Sequence, residues 1–424
     1  MIDDTRIRGK IKAQISKFSG IISKGFSKPK RKLIKEVLYG IQASKDVKLS
    51  NISRTLNEEI DLIKTENRLS SSLDGVDFTD GINAQICRLG SNKVLDDMVI
   101  AVDDGDIRKK YARHMENLAG IHDGSENEIG NGYWLCKAVA ADLEHKTVIP
   151  LYCEAYSQKA EDFKSAHAQR FKLIDKVSEY IGNKGIWAMD RGGDNNKQFN
   201  KFINTNKRFV IRLQKKRNLL HKGTVKNCYE LAKCVPCPFE AKIIKYEEGK
   251  EKSIIISYNA VPVKLPNRKK KLYLVVIKGF GKEPMMLLTS CRVHLKVKES
   301  IWRITEIYLT RWKCEESFRY IKQSYNLEDL RVRSYIRIRN IVVLVLAVSY
   351  FASVYLGQNL KLKILVERIY VVSKRFFGIP SFFNYAIADG LYNLLYPDKK
   401  GITHTRGKET GADFQLCFDF CFDP

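Results

Sequence analysis

Tyr308, Arg311, Glu315 and Lys322 lie in the segment YLTRWKCEESFRYIK, three, four and seven residues apart in turn. On an α-helix at about 100° per residue they fall at roughly 0°, 300°, 340° and 320°, an arc of about 60°. A carboxylate grouped with a phenol, a guanidinium and an ammonium suits a phosphate and its accompanying metal ion. The Arg fork and the Lys point charge attract phosphate oxygens, and the phenol donates a hydrogen bond. Leu309, Trp312, Cys314, Phe318 and Ile321 are expected to dock the remaining surface of this helix on a core. The same spacing also fits an ordinary surface helix with an i,i+4 Arg311–Glu315 pair, so the other elements must discriminate.

Two further acids stand at comparable places. Met98–Val102 is apolar on both faces, as a central covered strand must be, and it runs into Asp103-Asp104-Gly105-Asp106. Gly185–Met189 repeats the device and runs into Asp190-Arg191-Gly192-Gly193-Asp194. Asp103 and Asp190 are therefore expected at the ends of two buried strands facing one crevice. By strand alternation Asp104 points to the opposite face, and Asp106 is assigned to a turn at Gly105. Tyr133–Val139 and Thr147–Ala155 read as strands, followed by a helix from Gln158 to Ile181. From Arg208 to about Ser290, short β-segments starting with Phe209–Leu213 suggest an antiparallel insertion with Lys215-Lys216-Arg217 and Arg268-Lys269-Lys270-Lys271 in its loops. Each acid also has a plainer reading as the cap of a turn. Brought together, Asp103, Asp190 and Glu315 would bind two divalent cations, the arrangement that in-line attack on a phosphodiester uses. Magnesium or manganese is the natural ion for such oxygen donors.

The chain has 424 residues and carries 74 Lys plus Arg against 48 Asp plus Glu, a formal charge of +26. That excess points to nucleic acid, while 44% hydrophobic residues argue against a purely architectural polycation. Residues 1–95 read as helical, with Gly40 closing one segment and Ser50 capping the next; they form either a helix-turn-helix-like DNA reader, with Arg54, Lys64 and Arg68 outward, or a helical packing unit. No continuous apolar signal segment is seen at the amino terminus. Ile341–Leu356 is short for a membrane span and reads as a buried helix. The ten cysteines give a weak zinc hook at Cys234 and Cys237 with Cys417 and Cys421, and reduced thiols in a cytoplasmic protein are the simpler expectation.

Tyr308, Arg311, Glu315 and Lys322 meet the signature Y-x2-R-x3-E-x6-K. With Asp103 and Asp190 upstream, the chain resembles DDE transposases of the insertion-sequence-four (IS-four) family over roughly residues 45–356. The resemblance implies an α/β fold: an RNase H-like catalytic core with an antiparallel β-rich insertion, an N-terminal helical domain and a helical C-terminal region. The expected units are 1–95, 96–207 and 301–357 for the two parts of the core, 208–300 for the insertion, and 358–424. It implies metal-dependent cleavage of double-stranded DNA at the element's ends, a hairpin intermediate and joining to target DNA by a homodimer. A bacterial, nucleoid-associated cytoplasmic location follows, with no membrane partner. Asp103, Asp190 and Glu315 match the metal-binding triad; Tyr308, Arg311, Lys322 and Arg212 match DNA-contact positions. Where such proteins carry a base-stacking Trp, this chain offers Met285 and Met286. A nuclease without strand joining and a silent DNA-binding protein are the rival readings.

Overall fold

The computed structural model describes residues 4–123, 128–247, 250–356, 384–398 and 400–402. Five helices precede the first strand: α1 (Asp4–Ile22), α2 (Lys28–Ser44), α3 (Leu49–Leu56), α4 (Leu62–Ser72) and α5 (Thr79–Ser91). The helical spacing of Ile7, Ile11, Ile15 and Phe18 buries one face of α1. Two local expectations change. Gly40 lies inside α2, where a Cβ would stand 2.4 Å from Ile52 Cγ2, so its missing side chain lets α2 and α3 touch. Ser50 is no cap, because α3 begins at Leu49. Arg68, expected on the outside, is drawn inward to the buried Glu36 at 2.8 Å and to Glu58 at 2.8 Å. A buried carboxylate demands a cation, so this guanidinium belongs to the packing. Arg54 stays exposed beside Asn51.

The strands are β1 (Val99–Arg108), β2 (Ala119–Asp123), β3 (Glu128–Ala141), β4 (Val148–Tyr156), β5 (Ile186–Met189) and β6 (Phe209–Arg212). Then come β7 (Asn218–His221), β8 (Thr224–Asn227), β9 (Phe239–Glu247), β10 (Lys250–Val263), β11 (Leu272–Lys278) and β12 (Met285–Thr289). Between and after them lie α6 (Ala166–Ile181), α7 (Asn196–Asn204), α8 (Cys228–Cys234), α9 (Lys298–Thr310), α10 (Trp312–Tyr325), α11 (Tyr335–Tyr350) and α12 (Asn384–Leu395). Ten strands form one mixed sheet in the order β2-β3-β1-β5-β6-β12-β11-β10-β9, with β4 also on β3; β7 and β8 make a separate hairpin.

Three strand readings shift. β1 does not stop at Asp103: it pairs with β3 as far as Arg108 opposite Gly132, and this ladder satisfies the backbone of its charged half. Asp106 is thus in the strand, not in a turn. Residues 119–123, expected as loop, form the edge strand β2 on β3. β6, expected as the first strand of a separate insertion, pairs in parallel with β5, and β12 then pairs with β6, so the β-rich segment extends the central sheet. A short Val/Ile run does not reveal which neighbour it pairs with. Helix α6 starts at Ala166, not Gln158, where the Ser165 hydroxyl accepts from Ala168 N at 3.1 Å.

Helix α11 runs through the core against β4, α2 and α5. Tyr335–Tyr355 is, among the described residues, the one helical span long and apolar enough to cross a membrane, and 83% of its most apolar 18-residue window is buried in the protein. Its one fully buried amide, Asn340, accepts from Phe78 N at 2.7 Å and donates to Leu73 O and Val76 O, each at 2.8 Å. It thereby satisfies the loop between α4 and α5. Cys417, Cys421 and the terminal LCFDFCFDP lie outside the described residues, as does most of 358–424. Asn340→Leu keeps the volume but strands two buried backbone groups, Phe78 N and Leu73 O, and at about 1–3 kcal/mol for each it should destabilise the fold by at least about 2 kcal/mol. Urea denaturation checks this: an unchanged midpoint would show that water or a shifted loop replaces the amide.

Candidate active site

The alternation of strand side chains decides which acids meet. Val99, Ile186, Ala188 and Val210 share a buried cluster with Ile301, Ile304, Ile307 and Tyr308 of α9. Asp103 continues the Val99 face, Asp190 the Ile186 and Ala188 face, and Arg212 the Val210 face, so all three lie on the side that α9 covers. The strands are also in register. Ala101 stands opposite Ala188 and Ala188 opposite Val210 on strands about 4.8 Å apart, and continuing this register two residues past Ala101 and Ala188 leads to Asp103, Asp190 and Arg212. Asp190 is in extended backbone and caps a short turn, its Oδ1 accepting from Gly192 N at 2.8 Å. Asp194, by contrast, is buried and tied to Arg217 Nε at 2.7 Å and Gln214 N at 2.7 Å.

The helical contribution departs from the single helix expected over 308–322. α9 ends at Thr310 and α10 begins at Trp312, with Arg311 at the junction. Thr310 Oγ1 donates to Glu306 O at 2.8 Å, and such back-bonding to the preceding turn bends helices. The backbone tightens there, Arg311 N donating to Tyr308 O at 3.2 Å. At this junction Arg311 stands between two acids: Nη1 reaches Asp103 Oδ2, and Nη2 reaches Glu315 Oε1 at 2.8 Å. Tyr308 packs beneath, its ring 5.7 Å from the guanidinium carbon. Glu316 turns away to Lys313 at 2.7 Å.

Lys322 does not join this group; it pairs with Asp106 at 3.1 Å and Glu328 at 3.0 Å, farther along β1. The Arg212 guanidinium has no ion-pair partner among the described residues. Met285 and Met286 are both 3% exposed within β12, so neither thioether stands free to stack on a base. Trp312, expected in the core, is 51% exposed with its ring 5.9 Å from the Arg311 guanidinium carbon. At about 100° per residue it falls at about 40°, beside the polar arc, so its apolar type and not its helical position suggests the core. Two more residues went unnoticed. Lys137, opposite Asp103 on β3, is fully buried under α10, where its ammonium donates to Ser317 O at 3.1 Å. Arg170 of α6 clamps the far face, Nε to Asp104 Oδ2 at 2.8 Å and Nη1 to Gly192 O at 2.9 Å.

Burial pushes Asp103 up to about 7; Arg311 opposes this, while Asp190, Glu315 and Asp104 add to it. This carboxylate is short of positive charge. Its all-oxygen neighbours form a donor set that fits a hard divalent cation. Among the described residues no three potential ligands already stand in metal-binding geometry. Arg311 fills the space between Asp103 and Glu315, so a cation bridging those two acids must displace or share the guanidinium.

Residues 96–351 match the family model described as a transposase DDE domain. None of the curated proteins matches the chain. Among solved structures, a cryo-EM structure of a piggyBac transposase synaptic complex with hairpin DNA is similar over 87% of this chain and 79% of that one, at 10% identity and a TM-score of 0.45.

The Asp103 shift sets the sign of a pH effect. Its folded value, about 7, lies above the ordinary 3.8, so the folded protein binds this proton more tightly than the unfolded chain. Stability from this group is therefore full below about pH 4 and is lost as pH rises to about 7. In chelator, Asp103→Asn should raise the melting temperature at pH 8 and give little change near pH 4. A lower melting temperature at pH 8 would mean that the Arg311 pairing outweighs burial.

Proposed function

Because the chain belongs to the transposase DDE-domain family, we propose that it is a DNA transposase of the IS-four type, cutting and rejoining the inverted-repeat ends of an insertion sequence. The observation that supports this most is the convergence of Asp103 and Asp190, on adjacent parallel strands, with Glu315 through the shared Arg311. The large mixed sheet with helices on its faces suits an RNase H-like core. The β-rich strands after β6 serve as its insertion, and the helices of residues 1–95 bind the duplex.

Members of this family generally use divalent metal ions. In this reading Asp103, Asp190 and Glu315 hold two magnesium or manganese ions, which supply an activated attacking oxygen and charge stabilisation at the leaving oxygen. Arg311, freed from the acids, moves its fork to a phosphate. Tyr308 orients that guanidinium through its ring and offers a phenolic donor. Arg212, in line with Asp190, and Lys322, near the end of α10, bind phosphates on either side. Trp312 gives an exposed indole next to Arg311 on which a base at the cut can stack. Water attack frees a 3′ hydroxyl, which attacks the opposite strand to form a hairpin; the reopened end is joined to target DNA, with two protomers holding two ends. The work is placed in the bacterial cytoplasm, at the nucleoid.

The test is magnesium-dependent cleavage and joining of a duplex carrying the DNA that flanks the gene, read beside a gel shift of the same duplex. Glu315→Gln should reduce cleavage at least about a hundredfold with binding retained. Glu316→Gln, whose carboxylate faces Lys313, should change it little. Normal cleavage by Glu315→Gln would refute the assignment, and cutting without joining would reduce the enzyme to a nuclease.

A further inference from the structure

Past Lys322 a cleft of about 630 Å³ opens between the loop after β1, residues 109–118, and the connection from α10 to α11, residues 326–334. Six of its lining residues are Lys or Arg and two, Glu328 and Asp329, are acids. Both acids are already committed, Glu328 to Lys322 at 3.0 Å and Asp329 to Lys48 at 2.6 Å. The cleft is thus left with a surplus of positive charge that its own acids do not neutralise. Its walls are pinned together. The buried Lys109 ammonium donates to Glu328 O at 2.6 Å and also to Leu330 O, and Glu116 N donates to Arg333 O at 3.0 Å. On this fixed frame Tyr111 is 87% exposed, with the Lys110 ammonium 5.9 Å from its ring.

We propose that this cleft binds an unpaired stretch of a DNA strand, with Tyr111 stacking on a base and Lys110, Arg113, Arg331 and Arg333 holding phosphates. The proposal rests on the transposase reading above and adds a second contact on the same DNA. Cations alone would serve any duplex, because the faces of paired bases are covered by their neighbours. A bare ring among cations is the combination that grips a base out of its stack. The location agrees. Arg108, at the mouth, is five residues along β1 from Asp103, about 17 Å at about 3.4 Å per residue, or about five base steps of duplex. Strand separation a few nucleotides from the cut would deliver such a base, and Glu328, shared between Lys322 and the cleft, makes the two surfaces continuous.

Fluorescence anisotropy of the full chain tests this with a labelled oligothymidylate and a blunt duplex of equal length, in chelator at fixed salt. Tyr111→Ala should weaken single-strand binding about tenfold or more, Tyr111→Phe should retain it, and duplex affinity should change less than about twofold in both. Arg113→Gln with Arg331→Gln should flatten the salt dependence for the single strand by about 0.7 per lost contact. Tyr111 is at the surface, so its loss leaves the fold intact. Unchanged single-strand affinity in Tyr111→Ala, or an equal loss for duplex, overturns the proposal even if the wild type cuts DNA. A Tyr111 effect in a protein that never cuts supports the cleft and removes the transposase reading. Failure of the wild type to bind either DNA overturns both.

Discussion

Three carboxylates cannot share a partly buried site without positive charge among them. In this protein one guanidinium meets that constraint in part, pairing with Asp103 and Glu315, and much of the architecture serves to place it. The parallel pairing of β1 with β5 brings the strands that lead into Asp103 and Asp190 side by side, and the junction between α9 and α10 sets Arg311 against Asp103 and Glu315. From the other face, Arg170 ties Asp104 to the turn that Asp190 caps, so the two strand ends are clamped from behind as well as neutralised from in front. The fixed parts are the strand register and the clamp. The less constrained part is the Arg311 guanidinium, held by side-chain ion pairs.

The continuity of the sheet makes the site sensitive to its β-rich half. β6 is at once the parallel neighbour of β5 and the antiparallel neighbour of β12, so Asp190 and Arg212 are held in place by strands from both parts of the chain. Any load applied to the β-rich strands would therefore act on the same hydrogen-bonded ladder that leads into the acids.

Much of this was legible in the residues. The two buried strands announced themselves by apolar runs that end in acids, and alternation alone separated Asp103 from Asp104. The helical arc over Tyr308, Arg311 and Glu315 identified the partners that the structure assembles. Legibility failed where a decision depends on a distant partner. The length of β1 is set by β3, the membership of β6 by β5, and the inward turn of Arg68 by Glu36. Trp312 and Lys322 were misread for a different reason: a wheel angle gives neither burial nor distance, so Lys322 shares the arc yet stands about 10 Å along α10 from Glu315, and Trp312, at about 40°, borders the polar arc despite its apolar ring. The exposed Tyr111 carries no periodic signal, since it sits in a loop.

The order of synthesis gives the Arg311–Asp103 pair a temporal meaning. The two residues are 208 positions apart, so at about 5–20 residues per second the acid leaves the ribosome about 10–40 s before its cation. Asn340 closes the loop at Phe78 across 262 positions and is equally late. Until α9 and α10 are made, the nascent chain would hold strands whose apolar faces lack the helices that cover them and, once Asp190 follows, both acids without their cation. A product terminated before α10 would lack Glu315 and also α11, against which β4, α2 and α5 pack, so both the acid cluster and the seating of the N-terminal helices depend on the part of the chain made last.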